Sequence, residues 1–198
     1  MMKMESVRRR SIMGEKKANH TMLNYLYADN SPYIDTGIKS QSGITVEAQL
    51  RTTYSSTSGW FGSRDSVNVN SFLMVRNVEL YPRYGTLSPS GLTFISDYTV
   101  NHIYKMANNQ VYIDNVLVQT NTAQTFTGNY NMLLFAYASG VSKTLGRQLY
   151  VSYFKVWNSS GTLIQHLIPV LKDGVYCMYD NVSGTYYYNQ GAGSFTGG

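Results

Sequence analysis

An all-β fold built from two antiparallel sheets face to face is what this sequence predicts, and three observations carry the prediction. Turn signals recur between short runs rich in Val, Ile, Leu and Tyr. Residues 44 to 51 alternate apolar and polar. No stretch keeps apolar residues at helical spacing for three turns, and only the leader or residues 20 to 27 offer room for a short helix. Composition agrees, since 18 Tyr, 17 Gly and a charged fraction of only 14% favour strands and tight turns over solvent-exposed helices. A chain of 198 residues suits one domain with a tail. The expected division is a leader over 1 to 24 and a body over 25 to 198.

Along the body, residues 33 to 38 read as the first strand. Ile44, Val46, Ala48 and Leu50 point one way and Thr45, Glu47, Gln49 and Arg51 the other, the pattern of a strand with one face on a core and one in water. Further strands are expected at about 58 to 64, 70 to 76, 92 to 98 and 100 to 107, with a turn at Asn108-Asn109. Val111-Tyr112-Ile113 and Val116-Leu117-Val118 flank Asp114-Asn115, a two-residue link suited to positive φ, so they form a hairpin. Met132 to Tyr137 is short and apolar on both faces, which fits a central strand. From Gly146 onward the chain reads as a β-meander, with turns at Asn158-Ser159-Ser160-Gly161, Asp173-Gly174, Asn181-Val182-Ser183-Gly184 and Asn189-Gln190-Gly191. Tyr186, Tyr187 and Tyr188 alternate faces, so at least one should be buried. About a dozen short strands result, and two packed sheets are favoured over a closed barrel.

The net charge of +5 is concentrated in the leader. Residues 1 to 24 carry six Lys and Arg against two Glu, whereas the rest carries ten against nine. A folded nucleic-acid platform is therefore not expected. The leader lacks the apolar stretch of about 7 to 15 residues that a secretory signal needs, so export by the general pathway is not expected either. No uninterrupted apolar run reaches about 18 residues, and no membrane insertion is predicted. The leader's Arg8, Arg9 and Arg10 supply forked donors for carboxylates, and Met13, with Met4 and Met22, supplies adaptable apolar contacts. Those four residues, Arg8, Arg9, Arg10 and Met13, are the expected anchor onto a partner. The single cysteine, Cys177, closes no intramolecular disulfide and lies in an apolar run, where a buried, inert thiol is expected.

Several segments together resemble a known family. They are Tyr33-Ile34-Asp35-Thr36-Gly37-Ile38, Phe61-Gly62-Ser63-Arg64, Val111 to Asn115 and, most specifically, the closing series Phe154-Lys155-Val156-Trp157, Ile168-Pro169-Val170, Gly174 to Asp180 and Ser183 to Asn189. These resemble the concanavalin A-like lectin/glucanase domains found in virion proteins of gut bacteriophages and in their bacterial hosts, over about residues 25 to 198. The Arg8-Arg9-Arg10 run also resembles the starts of such virion proteins, with Ser11 and Ile12 standing before Met13-Gly14. The resemblance implies a jelly-roll sandwich with a structural or adhesive role in the particle. It brings no set of binding residues.

Chemistry-bearing patterns are sparse. Asp35-Thr36-Gly37 matches the nucleophile tripeptide of aspartic proteases, yet one copy would need a homodimer and Ile38 follows where a small residue is usual. A local turn closed by the Asp or Thr before Gly37 is the expected reading. Glycoside hydrolases of this architecture set two or three carboxylates along one strand. Here Asp29, Asp35, Glu47, Asp65, Glu79, Asp97, Asp114, Asp173 and Asp180 are dispersed, so no catalytic residue is assigned. His20, His102 and His166 have no second ligand at metal-binding spacing, and no metal or cofactor is expected.

What is left is aromatic and polar residues suited to sugars, whose rings stack on Trp or Tyr and whose hydroxyls need amide or guanidinium partners. Trp60, Arg64, Tyr81, Arg83 and Tyr84 are the candidates, expected in or near loops, although Trp60 and Phe61 also suit a core. The expectation is thus a noncatalytic bacteriophage virion structural protein, assembled in the host cytoplasm. It would be held to other virion proteins by its leader and present a lectin-like body to host or mucosal glycans. The competing expectation is a carbohydrate-binding module of a bacterial surface protein.

Overall fold

The structure is a computed structural model that describes residues 19 to 86, 92 and 97 to 198. Strands begin at once: β1 (Thr21–Met22), β2 (Leu26–Ala28), β3 (Ile34–Gln41), β4 (Thr45–Thr52), β5 (Ser58–Arg64), β6 (Ser71–Asn77) and β7 (Glu79–Gly85). The middle of the chain supplies β8 (His102–Ala107), β9 (Gln110–Ile113), β10 (Val116–Thr120), β11 (Thr127–Leu134), β12 (Ala136–Ser139) and β13 (Ser142–Leu145). It closes with β14 (Leu149–Trp157), β15 (Leu163–Lys172), β16 (Val175–Asp180), β17 (Tyr186–Tyr187) and β18 (Thr196–Gly197). No helix occurs among the described residues.

The strands form two sheets. One has 11 strands, in the order β10-β9-β8-β4-β14-β15-β16-β17, with β1 on β15 and β2 joining β14 to β18. The other has seven, in the order β13-β12-β5-β11-β3, with β6 on β5 and β7 on β6. Inward side chains of both sheets share one core, in which Phe61 of β5 meets Phe154 of β14 at 5.8 Å and Trp60 meets Tyr104 of β8 at 4.8 Å, both edge to face. The all-β expectation is met, and the closing meander appears as β14 to β17. In β4, Val46, Ala48, Leu50 and Thr52 are buried while the residues between them are half-exposed. The hairpin at Asp114-Asn115 has φ of 50° and 66°, the positive pair that a tight two-residue link demands.

Some expectations meet a different arrangement, and others fall outside the described residues. Residues 20 to 27 contain no helix: Thr21 and Met22 pair with Leu171 and Val170, and Leu26 to Ala28 pair with Val151 to Leu149. The body's hydrogen bonding therefore starts before residue 25, with Asn24 N donating to Gly198 O at 2.7 Å and His20 Nδ1 2.9 Å from the Tyr186 hydroxyl. The strand expected over 92 to 98 lies mostly outside the described residues; Leu92 bridges to Leu80, and Tyr98 is in a turn. None of Tyr186, Tyr187 and Tyr188 is fully buried, because β17 is a two-residue edge pairing, and Tyr187 is only half-covered against the core. Arg8, Arg9, Arg10 and Met13 lie outside the described residues.

Candidate functional site

The candidate sugar residues separate according to the side of the seven-stranded sheet they occupy. Between Gly59 and Phe61 the pairing of β5 with β6 slips by a residue. The irregularity turns both Trp60 and Phe61 inward. Trp60 has no exposed surface and packs edge-on against Tyr98 and Tyr104. Tyr84 is buried too, with its hydroxyl 2.5 Å from Asn108 Oδ1 and 3.2 Å from the Gln124 carbonyl. Neither Trp60 nor Tyr84 lies in a loop or reaches a ligand from solvent, because the irregularity in β5 turns the one into the core and strand alternation in β7 sends the other there. They are withdrawn as binding residues.

Alternation sends the other three candidates outward. On β7, Leu80, Pro82 and Tyr84 are buried and Tyr81 and Arg83 lie between them, opposite Val75 and Leu73 of β6. Tyr81 packs with Leu73, Val75 and Tyr137 of β12 in a small apolar cluster apart from the main core. Arg64, at the end of β5, donates from Nε to Ser139 Oγ at 2.9 Å, and its guanidinium lies 5.3 Å from the Tyr137 ring centre. Arg83 donates from Nη1 to Asn68 Oδ1 at 2.8 Å. Its pKa is lowered by partial burial first and by the Arg64 charge second. One patch thus gathers the half-exposed Tyr81, two guanidinium groups and the Asn68 amide over the buried Tyr137 ring.

The same sheet carries a cavity of about 420 Å³ beside this patch, with Asp35, Asn129, Tyr130, Asn131 and Lys143 in its wall over Leu133 and Ala138. Its shape is fixed from behind. The Asp65 carboxylate accepts from Asn129 N at 2.7 Å, Asn129 Nδ2 at 2.9 Å and Asn70 Nδ2 at 2.9 Å, holding the first residues of β11 to the segment that enters β6. Gly140 N donates to Arg64 O at 3.0 Å, so the β12–β13 turn is tied to the strand bearing the arginine. Asp35 Oδ1 accepts Gly37 N at 2.9 Å and Thr36 Oγ1 accepts Ile38 N at 3.2 Å while Gly37 has φ of 73°, the local turn expected of this tripeptide.

Other ionisable groups are engaged within the sheets. Glu47 takes the Tyr153 hydroxyl at 3.0 Å and lies 3.9 Å from Lys105 Nζ and 4.0 Å from Lys155 Nζ. His102 Nδ1 is 2.6 Å from Asp114 Oδ2. Among the described residues no three His, Cys, Asp or Glu side chains gather as a metal site would require. Cys177 is buried as expected, and burial pushes its thiol up to about 11.

Sequence reading missed Tyr137, Tyr130 and Lys143. Tyr137 sat in a run read as apolar on both faces. The Ser139-Gly140 turn was the available signal for the β12–β13 hairpin that projects Lys143. No protein-family model, curated protein or solved structure matches the chain.

Proposed function

We propose that this protein is a noncatalytic structural protein of a bacteriophage virion, a decoration or fibre component whose body is a lectin-like jelly-roll sandwich that adheres to host or mucosal glycans. The observation that carries the glycan reading is the gathering of Tyr81, Arg64, Arg83, Tyr130 and the Asn129 and Asn131 amides on the outer side of one sheet, with the buried Tyr137 ring beneath Arg64. Tyrosine faces match the apolar faces of sugar rings, and planar guanidinium and amide groups match their hydroxyls. The virion reading is supported by the resemblance of the closing segments and by the basic leader. The noncatalytic reading is supported by the engagement of Asp35, Glu47 and Asp65 in structural hydrogen bonds.

The leader is the proposed attachment to other virion proteins. Because residues 20 to 24 are bonded to the body, a truncation that tests the tether must spare them. Deleting residues 1 to 18 is expected to leave the melting temperature of the body unchanged and to remove the protein from purified particles, as read by mass spectrometry. Normal incorporation of the truncated chain would refute the tether. Absence of the intact chain from particles would refute the virion role.

A further inference from the structure

We infer that the ligand of the proposed glycan face is acidic, and that its carboxylate or sulfate is held between Lys143 and Arg147. The inference rests on the glycan reading above. A second cavity, of about 530 Å³, is lined by Asn30, Tyr54, Ser56, Thr57, Lys143 and Arg147 among others, and no carboxylate belongs to its wall. Both cations are exposed, and neither is ion-paired among the described residues, as is also true of Lys39, Arg51, Arg64 and Arg76, whereas Lys105 and Lys155 share Glu47 and Lys172 has Asp173; what sets Lys143 and Arg147 apart is that they line one cavity together. The body beyond residue 24 is almost neutral, so two unpaired cations in one cavity are a local feature and not general basicity.

Each cation is also steered. Arg147 donates from Nη1 to the Tyr54 hydroxyl at 2.6 Å and lies 5.2 Å from that ring's centre. A guanidinium has five N–H donors, so this anchoring leaves others for an anion. Lys143 Nζ stands 5.2 Å from the Tyr33 ring centre. The Ser56 hydroxyl and the Asn30 amide supply neutral donors around the two charges, while the Thr57 hydroxyl donates to Asn77 Oδ1 at 3.1 Å.

Lys143 belongs to both cavities, and this sets the direction of the ligand. Asp35 in the first cavity repels an anion, and Tyr130 there offers a face to a neutral ring. Lys143 and Arg147 in the second attract the acidic group. One oligosaccharide therefore crosses Lys143 with its neutral part over Tyr130 and its charged part toward Arg147.

The probe is immobilised mucin O-glycan, intact, desialylated, desulfated or stripped of both, titrated with the full chain. Binding to the intact form is expected to be at least about tenfold tighter than to the doubly stripped form, and to weaken steeply as salt rises, since exposed charges are screened within about 10 Å at 0.1 M. The singly treated forms identify carboxylate or sulfate as the recognised group. Arg147→Gln, which lies outside the first cavity, should bring intact-glycan binding down toward the stripped level while leaving stripped-glycan binding unaltered, and adding Lys143→Gln should remove what remains of the preference for the intact form. Equal binding of intact and stripped glycans by the unmodified chain would overturn the acidic preference while leaving the glycan face standing. Binding to no form would sink the glycan reading itself.

Discussion

Asp180 shows how much one side chain can hold. Its carboxylate is buried and accepts four hydrogen bonds, from His166 N at 2.8 Å, Val182 N at 3.0 Å, Ser183 N at 3.3 Å and Ser183 Oγ at 2.6 Å. The β16–β17 turn and its link to β15 thus converge on two oxygens. Asp180→Ala would remove the charged acceptor on which the turn closes and leave the His166 N–H without its partner, and is expected to cost about 3 kcal/mol in urea unfolding. A loss under about 1 kcal/mol would contradict that role. His166, next to this bond, makes a prediction about pH. Burial first and the Lys155 charge second lower its pKa from 6.5, with Asp180 opposing them. A base with a depressed folded pKa takes up protons more readily unfolded, so its contribution to stability is complete above 6.5 and is lost as pH falls through the folded value. The melting temperature should therefore decline on acidification below 6.5, and His166→Gln should flatten that part of the curve. An unchanged slope in the variant would show that other groups set it.

At the scale of elements, backbone strain is concentrated at hairpin tips and junctions. Asn77 pairs directly with Glu79, which leaves Val78 alone at the β6–β7 tip with φ of 63° and 72% exposed. A β-branched residue is strained there, whereas Asn tolerates the left-handed region. Val78→Asn is expected to stabilise the protein by about 1 kcal/mol, measured by chemical unfolding, and destabilisation would show that Val78 has a packing role. The elements legible in the sequence were those whose signals are local: β4 by its alternation, β9 and β10 by Asp114-Asn115, and β14 to β16 by their turns. Others were obscured by particular residues. Pro82 disguises β7; among the described residues that strand has β6 along one side and only the Leu80–Leu92 bridge on the other, an edge-like place where a proline is tolerated. Phe135, with φ of 66°, divides the apolar run of 132 to 137 into β11 and β12, a break that a bulky residue does not announce.

At the scale of the whole molecule, two sheets of unequal size share one core, and the smaller sheet's outer side carries the proposed glycan face. Three of the five sugar candidates read from sequence, Arg64, Tyr81 and Arg83, do lie on that side. Trp60 and Tyr84 do not, because residue type reveals aromatic character but not which side of a sheet it takes. The cavity itself was beyond reach of spacing arguments, since it joins residues 35, 130 and 143 through pairings of β3 with β11 and β12 with β13. The central proposal is a body mounted by its leader with this side outward. Electron cryomicroscopy of purified particles, run on the intact chain and on the chain lacking residues 1 to 18, tests it most directly. The account predicts a two-layer β body outside the particle surface, Lys143 facing solvent and the leader in contact with a neighbouring protein, and no such density for the truncated chain. A body whose seven-stranded sheet is pressed against the particle, or that stays in place without its leader, would contradict it.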